Sequence, residues 1–170
     1  QEIVDECKRI GARYVVGSSD DLIARHALAL EAMQADAFAN LRCDCWCAAP
    51  QILDVMIESL RGNFPTNCRA LANWPQRKIS EDYDLEVWTG EALMSVALDS
   101  RCPREGFAKW GIENPFVPHL AQYYTYEKAN DGEPHLSIDT KADLDRAARM
   151  LAVNDCATVD RTLKAWEATK

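Results

Sequence analysis

Two aspartates stand where an apolar run gives way to a helical pattern. Asp44 follows the run AFANL inside QADAFANLRCDCWCAAP (34–50), and Asp139 ends the alternating run HLSID (135–139) before KADLDRAARML. Ligands of open α/β sheets bind in the crevice beyond the carboxyl ends of the strands, so two carboxylates in this context can meet at one site if their strands are neighbours. Such a pair suits a hard divalent ion such as Mg²⁺, which takes a few carboxylates and completes its shell with water and substrate phosphates. The same residues also read as helix caps, because an Asp at a strand-to-helix junction accepts backbone N–H bonds.

The elements that would position them alternate along the chain. Ile3, Val4, Cys7 and Ile10 share a helical face that Gly11 closes, ARYVV (12–16) reads as a short buried strand, and GSSDDL (17–22) supplies caps for a helix to Met33. The chain opens inside this first helical pattern with Gln1, as expected of one with something missing in front. AFANL (37–41) is the next strand, a helix runs from Pro50 to about Leu60, and CRALANW (68–74) is a third strand after the loop Gly62 to Asn67. In YDLEVWT (83–89), Leu85 and Val87 alternate with Asp84, Glu86 and Trp88 as in a half-buried strand, which puts Asp84 and Glu86 toward either solvent or a pocket. Helices are expected over Gly90 to Leu98, Leu120 to Ala129 and Thr158 to Ala168, with NDGEP as a turn. Between them, the Pro-, Gly- and charge-rich excursion Asp99 to Pro118 is the kind of segment that carries substrate contacts. Arg104 and Glu105 lie in it, as a surface ion pair or a contact to substrate. Alternation throughout points to an α/β sheet with helices on both faces, and 170 residues to a single domain.

Composition narrows the partners. The net charge of −8, with basic residues scattered among acidic ones, argues against a nucleic-acid face. No apolar run has the length of a bilayer span and no signal-peptide pattern appears, so a soluble cytoplasmic protein is expected. Seven cysteines lack the spacing of a disulfide framework and read as reduced thiols. Cys43, Cys45 and Cys47 would point to one side of an extended chain and could begin a soft-metal site, but no fourth ligand has matching spacing. Small buried hydrophobes under a loop is the alternative. Trp46 stands beside Asp44 in the candidate ligand loop, whereas the other tryptophans read as core or rim residues.

Taken in order, GSSDDLIAR, QADAFANLRCDCWCAAPQILD, RKISEDYDLEV, PREGFAKWGIENP and LSIDTKADLD resemble the cytidylyltransferase-like proteins of spore-coat polysaccharide biosynthesis, relatives of the CMP-Kdo and acylneuraminate cytidylyltransferases. Gly17, Ser18, Asp20, Asp21 and Arg25 match the family's G-S-x-D-D-x-x-x-R segment. Asp44 takes the place of its metal-binding aspartate, and Pro50 that of the proline opening the next helix. Tyr83 to Val87 resembles its L-D-V-E-V strand, Arg104 and Glu105 begin its R-E-H-V-T-P-Y segment, and Ser137 to Asp143 resembles T-V-D-T-x-E-D, with Asp139 on the second metal-binding aspartate.

The resemblance implies a nucleotide-diphospho-sugar transferase-like, Rossmann-like mixed sheet, shortened at its start. It also implies Mg²⁺-assisted attack of a sugar or sugar-acid oxygen on the α-phosphorus of CTP, with Asp44 and Asp139 as catalytic metal ligands. Asp84, Glu86, Arg104, Glu105 and Trp46 are the substrate-contact candidates, and relatives form dimers. The sequence also departs from the family. The first strand and the Gly- and Arg-rich nucleotide loop would lie before Gln1. Trp46 and Cys43 replace the proline and glycine around the D-C pair, Gly106, Ala108 and Lys109 replace a histidine, threonine and proline, and His135 stands where an arginine is usual. The alternative expectation is a non-catalytic fragment or subunit that binds a sugar, or a partner chain carrying the missing half.

Overall fold

Alternation of large and small side chains across a short sheet decides what covers each face. The computed structural model describes residues 1–63, 69–74, 81–114, 135–156 and 158–169. Its sheet has β3 (Leu85–Thr89) between β1 (Ala37–Leu41) and β2 (Ala70–Ala72). β2 runs antiparallel to β3, with Ala70 opposite Trp88, Leu71 opposite Val87 and Ala72 opposite Glu86. β1 also runs against β3, since Asp36 just before β1 accepts from the Gly90 N–H just after β3 (2.7 Å) while Asn40 meets Glu86. Asn73 lengthens the β2–β3 pairing with its side chain. Its Oδ1 accepts from the Leu85 N–H (2.9 Å) and its Nδ2 donates to the Tyr83 carbonyl (2.7 Å).

Side chains alternate between faces along a strand, so Leu71, Leu85 and Val87 share one face, where they pack with Met56. Helix α3 (Pro50–Glu58) provides that cover through Ile52, Leu53, Met56 and Ile57 at helical spacing, and Pro50 starts it where a missing N–H costs nothing. The other face carries Ala70, Ala72, Glu86 and Trp88. Trp88 is fully buried, so at this position β3 is covered on both faces and is not the half-buried strand expected. Its cross-strand partner is an alanine, which leaves room for the indole.

By contact the chain groups into two compact units, Gln1–Phe38 with Thr89–Val117, and Ala39–Trp88 with Pro118–Lys170. In the first, α1 (Glu2–Ile10) ends at Gly11, whose φ of 71° is the left-handed conformation that glycine adopts freely. Residues 12–16 are outside any strand, and Tyr14 and Val16 are exposed, which corrects the buried strand expected there. Apolar residues alone cannot make a strand without a neighbouring backbone to pair with. Helix α2 (Leu22–Met33) starts where the Asp21 carboxylate accepts from the Ala24 N–H (2.9 Å). Ser18 Oγ accepts from the N–H groups of Asp20 and Asp21, and Arg25 reaches back to the Ser18 carbonyl (3.3 Å). A Cβ on Gly17 would lie 3.0 Å from Arg25 Cγ. These contacts account for GSSDDLIAR as a helix-start device. Helix α4 (Gly90–Ala97) is capped by Thr89, α5 (Phe107–Glu113) is the helical piece expected in the excursion after Asp99, and His26 packs between the rings of Phe38 and Phe107 at 4.6 and 5.3 Å.

In the second unit α6 (Lys141–Val153) begins with a reciprocal capping box between Thr140 and Asp143, and α7 (Val159–Thr169) packs beside it. Met150, Val159 and Ala165 from these helices join Cys47, Tyr83 and Leu136 in one apolar cluster. HLSID is not a ladder strand; among the described residues it is held by side chains and one backbone bond, from Ile138 N–H to the Asp44 carbonyl. The helix expected at Leu120 to Ala129 and the turn at 130–134 lie outside the described residues. No helix among the described residues is long and apolar enough to cross a membrane.

Candidate functional site

A buried carboxylate organises the neighbourhood of both sequence-chosen aspartates. Asp82 sits in the 3-10 turn Glu81–Tyr83 just before β3 and is 1% exposed. Its Oδ2 accepts from the Leu136 N–H (2.5 Å) and its Oδ1 from the Ser137 N–H (2.9 Å). The next amide, Ile138 N–H, donates to the Asp44 carbonyl (3.1 Å), and the Leu136 carbonyl accepts from Trp46 Nε1 (2.7 Å). Three consecutive amides and one carbonyl of 136–138 are thereby tied down. The segments that carry Asp44 and Asp139 consequently lie side by side within the second unit.

Neither aspartate caps a helix. The N-cap of α3 is Ala49 and that of α6 is Thr140. The Arg42 guanidinium forks onto Asp44, with Nη2 2.7 Å from Oδ2 and Nε 3.3 Å from Oδ1, and holds this carboxyl below its ordinary range. The Asp139 side chain is 56% exposed; its Oδ2 accepts from Ser137 Oγ (2.9 Å) and lies 3.3 Å from His135 Nε2. Arg146 supports the same segment from α6 by donating to the His135 carbonyl (3.0 Å) while its guanidinium lies 5.4 Å from the centre of the Trp166 ring.

The remaining candidates divide between the units. Glu86 on β3 is partly buried, and Asn40 Nδ2 (2.6 Å) and Trp74 Nε1 (2.9 Å) each donate to one of its oxygens. Burial pushes its carboxyl above the ordinary value, and neighbouring Asp84, itself partly buried, adds to the push. Trp46 packs against the apolar cluster and spends its N–H on Leu136, so it braces the loop in this conformation. Arg104 and Glu105 belong to the first unit, where Arg104 Nε stands 3.9 Å from Asp21 Oδ2 and Glu105 is exposed.

The cysteine cluster is dispersed by two turns. Cys45 N–H donates to the Arg42 carbonyl (3.2 Å) and Ala48 N–H to the Cys45 carbonyl (3.4 Å). This curled backbone leaves Cys43 exposed and buries Cys45 and Cys47, rather than setting all three on one side. Burial pushes both buried thiols up to about 12. Among the described residues no group of three or more His, Cys, Asp or Glu is arranged to hold a metal. Asp44 and Asp139 fit Mg²⁺ in kind, as hard oxygen donors on adjoining segments. They suit an ion that takes one or two carboxylates and fills its shell with water and phosphate.

Asp82, Arg42 and Arg146 are the site residues that sequence reasoning missed. Arg42, two residues before Asp44, could have been found from that spacing. Nothing local marks Asp82, whose partners lie 54 and 55 residues away.

No protein-family model matches the chain, and no curated protein matches it. Its fold is similar to that of a solved structure, a cytidylyltransferase from Leptospira borgpetersenii, with a TM-score of 0.82 over 98% of this chain and 69% of that one, at 23% sequence identity. At that identity the likeness is one of fold.

Two outcomes follow from this geometry. Asp82→Asn turns an amide N–H₂ toward backbone donors and should lower stability by about 1–3 kcal/mol in urea unfolding. It should also speed hydrogen exchange at Leu136 and Ser137, and unchanged exchange there would refute the tether. For Glu86, the unfolded chain ionises first as pH rises above the ordinary 4.5, because its folded value is raised. Stability should therefore fall with rising pH through that window, with a slope no steeper than ~1.4 kcal/mol per pH unit for one proton. Glu86→Gln should flatten this slope in urea midpoints measured against pH.

Proposed function

We propose that this chain is a nucleotidyltransferase domain that transfers CMP from CTP to a sugar or sugar acid destined for a surface polysaccharide, with Mg²⁺ held by Asp44 and Asp139. The observation that supports this most is the backbone bond from Ile138 to Asp44, which sets the two aspartate segments side by side in a fold similar to that of a cytidylyltransferase. The reaction would join the sugar oxygen to the α-phosphorus and break the bond to pyrophosphate. When bound, the cation offsets negative charge on the phosphates, as phosphoryl-transfer sites require.

The chain's own residues position these groups. Asp82 fixes the 136–137 backbone and so the height at which Asp139 leaves it. Trp46 holds the Asp44 loop to Leu136, and Asn40 and Trp74 hold Glu86 as one wall of the acceptor side. An acidic protein can bind a polyphosphate this way without a basic surface, because the cation brings the compensating charge. A chain that consumes CTP would work in the cytoplasm, where CTP is made.

A second reading, a subunit that docks a strand-bearing polypeptide, is favoured by one surface of the first unit. No residue of α1 is buried, Ile3 is 81% and Ile10 59% exposed, and Val16 is 72% exposed in a segment outside any helix or strand, with no ladder partner among the described residues. Exposed apolar residues beside backbone without a ladder partner invite pairing with another polypeptide.

Calorimetric titration with CTP and Mg²⁺ tests the first reading. Binding should require the metal, exceed that of ATP, and weaken at least tenfold in Asp44→Asn. Absence of CTP binding by the folded wild-type chain would overturn it. For the second, Ile3→Glu with Val16→Glu should change stability by less than about 0.5 kcal/mol and reduce binding of an apolar dye. A larger loss of stability would mean that the isolated chain already covers these residues.

A further inference from the structure

Arg42 and Asp44 are two residues apart, the spacing at which Arg101 also forks onto Asp99 in the first unit. Here the turn closed by Cys45 N–H on the Arg42 carbonyl (3.2 Å) curls the backbone, so that the guanidinium meets both carboxylate oxygens at 2.7 and 3.3 Å. The side chains of the pair are 52% and 27% exposed. Arg42 therefore occupies, from the solvent side, the two oxygens that the proposed function assigns to a divalent cation.

We infer that Arg42 is a built-in counter-ion that competes with the divalent cation for Asp44 and thereby sets the cation affinity of the site. The inference rests on the reading of Asp44 as a cation ligand. The guanidinium takes one acceptor site on each oxygen and sets a positive charge against them, so the cation binds less tightly while the fork is in place. A solvent-exposed ion pair contributes little, so release is cheap and reversible. A forked guanidinium is also the side chain best matched to phosphate oxygens in place of a carboxylate. Once displaced, Arg42 is held by a two-residue tether next to whatever anion the cation carries in. Free cation alone, with no anion to receive the arginine, has to meet the full cost of displacement.

Among the described residues no guanidinium forks onto Asp139; its Oδ2 accepts from Ser137 Oγ (2.9 Å) and lies 3.3 Å from His135 Nε2. The asymmetry makes Asp44 the carboxylate at which entry of the cation is regulated.

The test is Mn²⁺ binding to the full chain, without nucleotide, by calorimetry and by enhancement of water proton relaxation. Arg42→Gln should bind Mn²⁺ roughly three- to tenfold more tightly than wild type, because it removes both the competitor and a nearby positive charge. Arg42→Lys, which keeps the charge but loses the fork, should fall between them, and urea midpoints establish that all variants are folded. Equal Mn²⁺ affinity in wild type and Arg42→Gln, with binding still lost in Asp44→Asn, would overturn the counter-ion role and leave Asp44 as a ligand. Absence of Mn²⁺ binding in both wild type and Arg42→Gln would overturn the ligand reading itself, and the competition with it.

Discussion

The second unit depends on a charge placed where charges are costly. Asp82 is buried beneath 135–139, and a desolvated carboxylate persists only when its oxygens are fully used. Each oxygen takes one backbone amide, so the carboxylate does for Leu136 and Ser137 what a neighbouring strand would do with two carbonyls. A side chain can receive two adjacent amides where a strand edge receives only alternate ones, and this lets the next amide, Ile138, point to Asp44. The spacing of the Asp44 and Asp139 segments thus follows from one side chain that belongs to neither.

Much of this arrangement was legible in the sequence. β1 was read at its observed bounds, and α2, α3, α4, α6 and α7 within a few residues, because caps, a Pro at N1 and helical spacing of apolar residues are local signals. The two extended segments at 12–16 and 135–139 were read as strands for the same local reasons. Whether an apolar run forms a ladder, however, depends on what lies beside it, and no composition encodes that. Trp88 is the core residue its type suggested, but the half-buried pattern of 83–89 fails there, because alternation assumes one wet face whereas Ala70 across from it makes a buried slot for the indole. Asp44 and Asp139 were singled out by their position ahead of helical patterns. Asp82 and Arg146 were not, because their importance lies in partners distant in sequence.

Four carboxylates of the second unit each have a separate environment. Asp82 is spent on backbone, Glu86 on Asn40 and Trp74, and Asp44 on Arg42, while Asp139 is left more than half in solvent. A net charge of −8 would otherwise make several acids in one region mutually repulsive. Dividing them between amide, indole, guanidinium and water lets four acids coexist within one unit.

The tether between the Trp46 indole and Leu136 closes a span of 90 residues. Contacts of such separation form late in folding, because the entropy of closing the loop must be met before any of them is rewarded. On a ribosome the consequence is one of timing. The loop around Asp44 is synthesised with its sheet, but it has no counterpart until 136–139 has emerged and found Asp82. Until then the nascent chain carries the Asp44 segment without the backbone that Ile138 brings to it.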